Sequence, residues 1–426
     1  MSMQVDELLD CCYTERKKSQ HDVRLDFSKY IDGKKTLDSI LSQPYSGGKK
    51  NAVYIHIPYC KKICSFCNMR RAVSAAPEDY AGAVIKQIQH YGKTEYVKTT
   101  PISSVYFGGG TPTALPAEQL AAILQALYEN FRIAENAEVS METTVSELDE
   151  HKMKVLLENK LNRFSIGIQT FNDEGRKTLG RIGSGENAAN VIKQAFKTGF
   201  KNVNIDIIYN YPDETESILR EDLKTAFALD IAGFSFYSLI VGKDSKIART
   251  VDPKTFAQET LRRDASFFIA ALDESRKAGY EFLEITKLVK PGRDNYEYIR
   301  CGHLGGDVFP VGAGAGGSVN GTSFMNPLEK DKFIGQVDDF SQMSGMSMKP
   351  DYKHIKCFSG QMQEGSIDFS FLTEEEKEKA LKIVPALEAN ELIKKSNTFD
   401  GYCFTDKGFF WGNSLAADLV EKVFSA

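Results

Sequence analysis

Six short runs rich in β-branched and aromatic residues punctuate the chain at Ala52–Ile57, Ser104–Phe107, Glu138–Glu142, Arg163–Gln169, Asn202–Tyr209 and Gly233–Ile240. Between them the apolar residues recur at intervals of three and four, as in Leu120, Ile123, Leu124 and Leu127. Short β-rich runs predict strands and a period near 3.6 predicts helices, here over Pro77–Tyr91, Ala117–Phe131, Glu150–Asn159, Glu186–Thr198 and Ser217–Leu229. Strands that alternate with helices pair in parallel, so the pattern predicts an α/β fold built on a partial (β/α)6 barrel. In barrels of this kind ligands collect at the carboxyl ends of the strands.

The flanks read differently. Residues 1–48 are polar and mixed in charge and end in Ser46-Gly-Gly-Lys-Lys, which predicts an N-terminal arm or lid before a barrel over 49–245. Residues 246–365 are expected to extend the barrel and cover its substrate. They comprise a long amphipathic helix over Phe256–Lys277, a strand over Tyr280–Val289, and irregular connections over 320–365. Regular structure returns after Phe371. Thr373 followed by Glu374, Glu375 and Glu376 marks a helix start with carboxylates at the positive end of the dipole. Phe399–Phe404 and Thr405-Asp-Lys-Gly then mark a hairpin before a last helix, so 366–426 form a small winged-helix-like α+β module. Such modules often bind DNA, yet this one holds eleven acidic residues against seven basic ones. A cover over the substrate cleft is the better expectation.

Composition removes several function classes. The 426 residues carry a net charge of −5, without the basic excess of a general nucleic-acid binder. No stretch reaches the roughly 18 apolar residues of a membrane span. The first residues show no basic start followed by an apolar run, and a cytoplasmic location is expected. Eight cysteines over this length do not make a secreted disulfide framework, and Cys11, Cys12, Cys301, Cys357 and Cys403 stand apart.

The other three are grouped: Tyr54-Ile-His-Ile-Pro-Tyr-Cys60 leads from an apolar strand into Cys64 and Cys67, spaced C-x3-C-x2-C. Three thiolates can hold three irons of a [4Fe–4S] cubane and leave the fourth open to a ligand. The alternative is a zinc knuckle, for which His56 is the only nearby fourth donor. The second strand ends in Gly108-Gly109-Gly110-Thr111-Pro112-Thr113, a loop that lets backbone approach a ligand closely. Glu142, Gln169 and Asp206 close further strands and would ring the same mouth.

These segments, with Ser140-Met-Glu-Thr143, Gly167-Ile-Gln-Thr-Phe-Asn172, Arg181 and Asn204-Ile-Asp-Ile-Ile-Tyr209, resemble the radical S-adenosylmethionine (SAM) superfamily. Within it they resemble the oxygen-independent coproporphyrinogen III oxidase-like branch, over about residues 50–245. The resemblance implies a [4Fe–4S] cluster on Cys60, Cys64 and Cys67 and two SAM molecules side by side. Tyr54, Phe66, Gly109 and Glu142 would serve the cluster-bound SAM; Gly110, Thr111, Gln169, Arg181, Asp206 and Ser238 would serve the second. A guanidinium such as that of Arg181 suits a carboxylate through paired donors.

The branch contains decarboxylating oxidases, heme chaperones and heme-utilisation enzymes. Cys67-Asn68-Met69 places methionine where the oxidase has a further cysteine, which counts against decarboxylation. The run Lys290-Pro-Gly-Arg293 to Arg300, with the glycines of Gly312–Gly317, is similar to the heme-utilisation subgroup that includes anaerobilin synthase. That likeness implies a radical methyltransferase that opens heme without oxygen to a linear methylated tetrapyrrole and releases iron. An adenosyl radical from the first SAM would abstract hydrogen from the methyl group of the second, and the resulting carbon radical would add to a meso carbon. The partners it implies are heme, a low-potential electron donor such as reduced flavodoxin, and a downstream tetrapyrrole reductase or carrier. Arg293, Tyr296, Tyr298, Arg300 and His303 are the candidate heme contacts, with His303 and His354 as possible iron ligands.

Overall fold

The computed structural model describes residues 3–22, 25–69, 72, 74–338 and 343–425. Six parallel strands form its centre: β1 (Asn51–Ile57), β2 (Pro101–Gly109), β3 (Arg132–Thr144), β4 (Arg163–Gln169), β5 (Asn202–Tyr209) and β6 (Gly233–Ser238). They neighbour one another in chain order, as right-handed β–α–β units require. The crossovers carry helices α1 (Tyr80–Gly92), α2 (Ala117–Asn130), α3 (Glu150–Glu158), α4 (Gly185–Thr198) and α5 (Glu216–Ala228). β4 is buried at every position, the mark of a parallel strand covered on both faces.

The partial barrel is the middle of a thirteen-stranded sheet. Beyond β6 an antiparallel hairpin, Glu281–Glu284 with Lys287–Val289, replaces the single strand expected over Tyr280–Val289. Beyond β1, Val308–Val311 pairs in parallel, and Gly316–Val319, Thr322–Met325, Ser344–Met348 and Ile31–Thr36 follow antiparallel. The segment 320–365 is therefore ordered into strands and the helices Lys330–Asp338 and Tyr352–Gln363, not irregular connections. The helix expected over Phe256–Lys277 is two, Pro253–Glu259 and Leu261–Lys277.

The N-terminal arm runs as a strap. Trp411 Nε1 donates to Leu8 O (2.9 Å), Arg16 Nη1 pairs with buried Asp264 (2.8 Å), and Lys18 Nζ donates to Ser238 Oγ at the end of β6 (2.7 Å). The α+β module of helix Glu374–Ala389, a three-stranded sheet and helix Gly412–Phe424 rests on this strap and on the hairpin, where Phe282 stacks on Phe409 at 4.0 Å. None of its described residues lines the cleft at the carboxyl ends of the strands, so it braces the barrel and does not cover the mouth.

Candidate active site

The carboxyl ends of β1 to β6 surround a cleft of about 430 Å³, within the range of small-molecule sites. Cys60, Cys64 and Cys67 line it, on the loop that leaves β1. That loop is held from several sides. Cys60 N donates to Ala72 O, Ser65 N to Leu179 O, and Ser65 Oγ to Thr178 O. Gly180, at φ +68°, permits the last approach, since a Cβ there would stand 2.9 Å from Ser65 N.

The glycine triplet after β2 packs against the same strand end. A Cβ on Gly109 would meet the His56 ring and Ile57 O at 2.9 Å, and one on Gly110 would meet Tyr59 O at 2.7 Å. The backbone thereby reaches Ile57 O from Gly110 N and Tyr59 O from Thr111 N, each at 2.9 Å. Thr111 Oγ1 lies 3.5 Å from Cys60 Sγ.

Polar groups from the next strands face this loop across the cleft. Glu142 accepts from the Tyr106 hydroxyl at 2.8 Å. Burial pushes its carboxyl up to about 7, against the pull of that hydrogen bond. Asp206 accepts from Ser165 Oγ at 3.2 Å. Gln169 ends β4 in the left-handed region, at φ +70°, where a non-glycine residue is strained; such strain clusters at ligand sites. Arg181 Nη1 donates to Cys64 Sγ at 2.9 Å and Nη2 to Gly167 O. Gln169 Oε1, Arg181 Nε and Glu147 Oε1 are buried without a partner among the described residues, on three walls of one cleft. Buried polar atoms rarely stay unpaired, and a polar ligand would satisfy them.

The expected cofactor residues Phe66, Gly109, Gly110, Thr111, Glu142, Gln169, Arg181, Asp206 and Ser238 all line this cleft together with the cysteines. Tyr54 does not. It sits one layer deeper, its hydroxyl 2.9 Å from His56 Nδ1. Residues 54–226 match the family model of the Radical SAM superfamily. These residues are a radical SAM domain. Its members hold a [4Fe–4S] cluster and SAM, and the donor set fits them. Three thiols stand on one open loop, while among the described residues no three His, Cys, Asp or Glu are close enough to share a single ion.

Among curated proteins, this chain is 32% identical to anaerobilin synthase of Escherichia coli O157:H7 over 65% of its own length. That alignment spans 63% of the relative. It is 28% identical to heme chaperone HemW of Lactococcus lactis, over 65% of this chain and 72% of that one. Among solved structures, coproporphyrinogen III oxidase (HemN) of Escherichia coli superposes with a TM-score of 0.74 at 22% identity, covering 96% of this chain and 97% of that one. The fold is shared along the whole length.

The expected heme contacts lie elsewhere. Arg293 is at the amino-terminal end of the barrel, with its guanidinium on Asp230 (3.3 Å). Tyr296 and Tyr298 fill the lumen from that end, Tyr298 stacking on Tyr106 at 4.4 Å and Tyr296 lying under the Arg163 guanidinium. Arg300 and His303 both face Glu364, at 3.6 and 3.5 Å, and His354 pairs with Glu376 at 3.0 Å. None of the six lines the cleft. The mouth is instead built from side chains the sequence reading passed over: Lys61, Lys62, Ile182, Tyr237 and Ile240, with Met69 and Phe66 beside the cysteines. Their positions were the available signal: Ile182 follows Arg181, Tyr237 lies at the end of β6, and Ile240 lies just beyond it.

Among the described residues no helix is long and apolar enough to cross a membrane.

Proposed function

We propose that this radical SAM chain is a C-methyltransferase that opens heme without oxygen to a linear methylated tetrapyrrole and releases iron. One SAM serves as radical source and a second as methyl donor. The observation that carries the reading is the composition of the mouth: Phe66, Met69, Ile182, Tyr237 and Ile240 stand exposed or half-buried around a cleft whose depth is polar. An apolar rim over a polar floor suits a flat macrocycle lying above a charged cosubstrate. The similarity to anaerobilin synthase over 65% of the chain supports the same reading.

Cys60, Cys64 and Cys67 would hold the cluster, which supplies an electron to the sulfonium when bound. Glu142 would take the ribose or ammonium of the first SAM, and Gln169, Arg181 and Asp206 the polar groups of the second. Lys61 and Lys62 stand at the rim where carboxylates of a macrocycle would lie. Exclusion of water falls to the apolar rim once the ring is seated.

The 72% coverage of HemW favours a second reading, a heme-binding chaperone without methyl transfer. A third, decarboxylation of coproporphyrinogen III, is opposed by Met69. Anaerobic incubation of cluster-reconstituted protein with SAM, reductant and heme separates the three. Loss of the Soret band with equal release of 5′-deoxyadenosine and S-adenosylhomocysteine is expected. A persistent shifted band without either product would establish the chaperone, and deoxyadenosine released from coproporphyrinogen III without homocysteine the oxidase.

A further inference from the structure

Gln169 and Arg181, two of the residues expected to hold the second SAM, come from different segments: the last position of β4 and a turn twelve residues further on. Their side chains nevertheless meet over Gly167, where a Cβ would stand 3.0 Å from Gln169 Nε2 and 3.6 Å from Arg181 Nη2. Neither segment keeps its shape through regular structure. Gln169 sits at φ +70°, which a non-glycine residue holds only where its surroundings fix it, and Arg181 lies between Gly180 at φ +68° and Gly183 at φ +79°.

One side chain fixes both. Arg176, 1% exposed, lies between them on the short helix Asp173–Thr178. Its Nη1 donates to Ile168 O (2.9 Å) and Thr170 O (3.0 Å), the carbonyls of the residues on either side of Gln169. Its Nη2 donates to Ile182 O and its Nε to Gly183 O, both at 2.7 Å, and its own carbonyl accepts from Arg181 N at 2.7 Å. All four side-chain bonds go to backbone, so the planar fork ties the strand end to the turn whatever the side chains there are.

The charge of this fork is also informative. A buried cation is ordinarily paired with a carboxylate, yet Arg176 donates to carbonyls, and Arg181 donates to Gly167 O and Cys64 Sγ. Burial and the neighbouring Arg181 cation pull the Arg176 guanidinium below its usual range, and Asp173 and Asp222 offset this only in part. Two guanidiniums thus stand behind one wall of the cleft, where a carboxylate on the ligand would balance them.

We propose that Arg176 is the positioning residue of the second SAM site, locking Gln169 and Arg181 into one unit and reinforcing the positive wall that takes the SAM carboxylate. The inference rests on the two-SAM reading above and deepens it. Without the fork, Gln169 is free to relax to ordinary backbone geometry and the turn carrying Arg181 loses its tie to β4.

The test is equilibrium dialysis of labelled SAM against the cluster-reconstituted full chain, with the cluster left oxidised so that SAM stays intact. Wild type is expected to bind two molecules per chain. Arg176→Lys keeps the charge but not the fork, and should bind one molecule as wild type does and the other about tenfold more weakly. Arg176→Met should bind one only. A merely structural role would weaken both molecules together, and that outcome overturns the assignment. Wild-type affinity for both molecules in Arg176→Lys overturns it as well, and decides the matter even if Arg176→Met does not fold. One molecule per chain in wild type would instead sink the two-SAM reading itself.

Discussion

Arg181 Nη1 lies 2.9 Å from Cys64 Sγ, so the guanidinium expected to grip a SAM carboxylate also touches a thiol expected to hold the cluster. Hydrogen bonds to the sulfurs of an iron–sulfur cluster raise its reduction potential. Arg181→Met should therefore lower the midpoint potential of the reconstituted cluster by tens of millivolts in an EPR-monitored titration. An unchanged potential with weakened SAM binding would confine Arg181 to the ligand.

Glu142 gives the protein a pH dependence of definite sign. Burial raises its carboxyl from 4.5 to about 7, so between these values the folded chain holds a proton the unfolded chain has released. Stability from this group then falls as pH rises through 7. Glu142→Gln should raise the melting temperature of the SAM-free protein at pH 8 relative to wild type, with little change at pH 4.5. The effect is at most about 3 kcal/mol, reduced by water reaching the open cleft wall. Glu284, also raised to about 7, contributes in the same window, so the comparison must be between the two proteins and not across one pH curve.

Gly110 faces backbone where a methyl group would have to go, 2.7 Å from Tyr59 O and 2.8 Å from Pro58 C. Gly110→Ala should push the glycine loop away from the cysteine loop at a cost of about 1–3 kcal/mol. Lower iron content after reconstitution, together with a lower melting temperature, checks this. Full iron loading with wild-type stability would refute it.

Arg163 and Asp294 form a paired-donor contact at 2.8 and 2.9 Å in the lumen, both almost wholly buried. Arg163 and Lys287 hold the Asp294 carboxyl far below its ordinary range against the cost of burial. Asp294→Ala strands two cations and should cost about 3–5 kcal/mol by urea unfolding. In wild type the contribution is complete above the unfolded carboxyl's value near 4 and is lost only as pH falls further.

The barrel was legible because its strands are runs rich in β-branched and aromatic residues, most of them followed by a helix with an apolar face. The segment 320–365 was not. Its strands are four and five residues long, built from Thr, Ser, Phe, Met and Gly, and one of them pairs with Ile31–Thr36 from the far end of the chain. No local pattern encodes such a partner. Most of the residues expected to hold cluster and SAM share one cleft because they close a strand or follow a fixed cysteine spacing. Arg293 to His303 could not, since residue type states what a side chain can bind but not which end of the barrel its segment returns to. Ile182 and Ile240 were hidden by the opposite problem, as apolar residues in a chain full of them.

Tyr296, Tyr298, Asp294 and Arg163 together stopper the barrel at its amino-terminal end, leaving a separate polar hollow below lined by Glu138, Asn202 and Arg293. Among the described residues the cleft therefore opens at the carboxyl ends of the strands, and a chamber of that shape imposes a queue. Under the function proposed above, a macrocycle seated last would seal the small molecules beneath it, and departure of the large product would set the tempo for everything behind it.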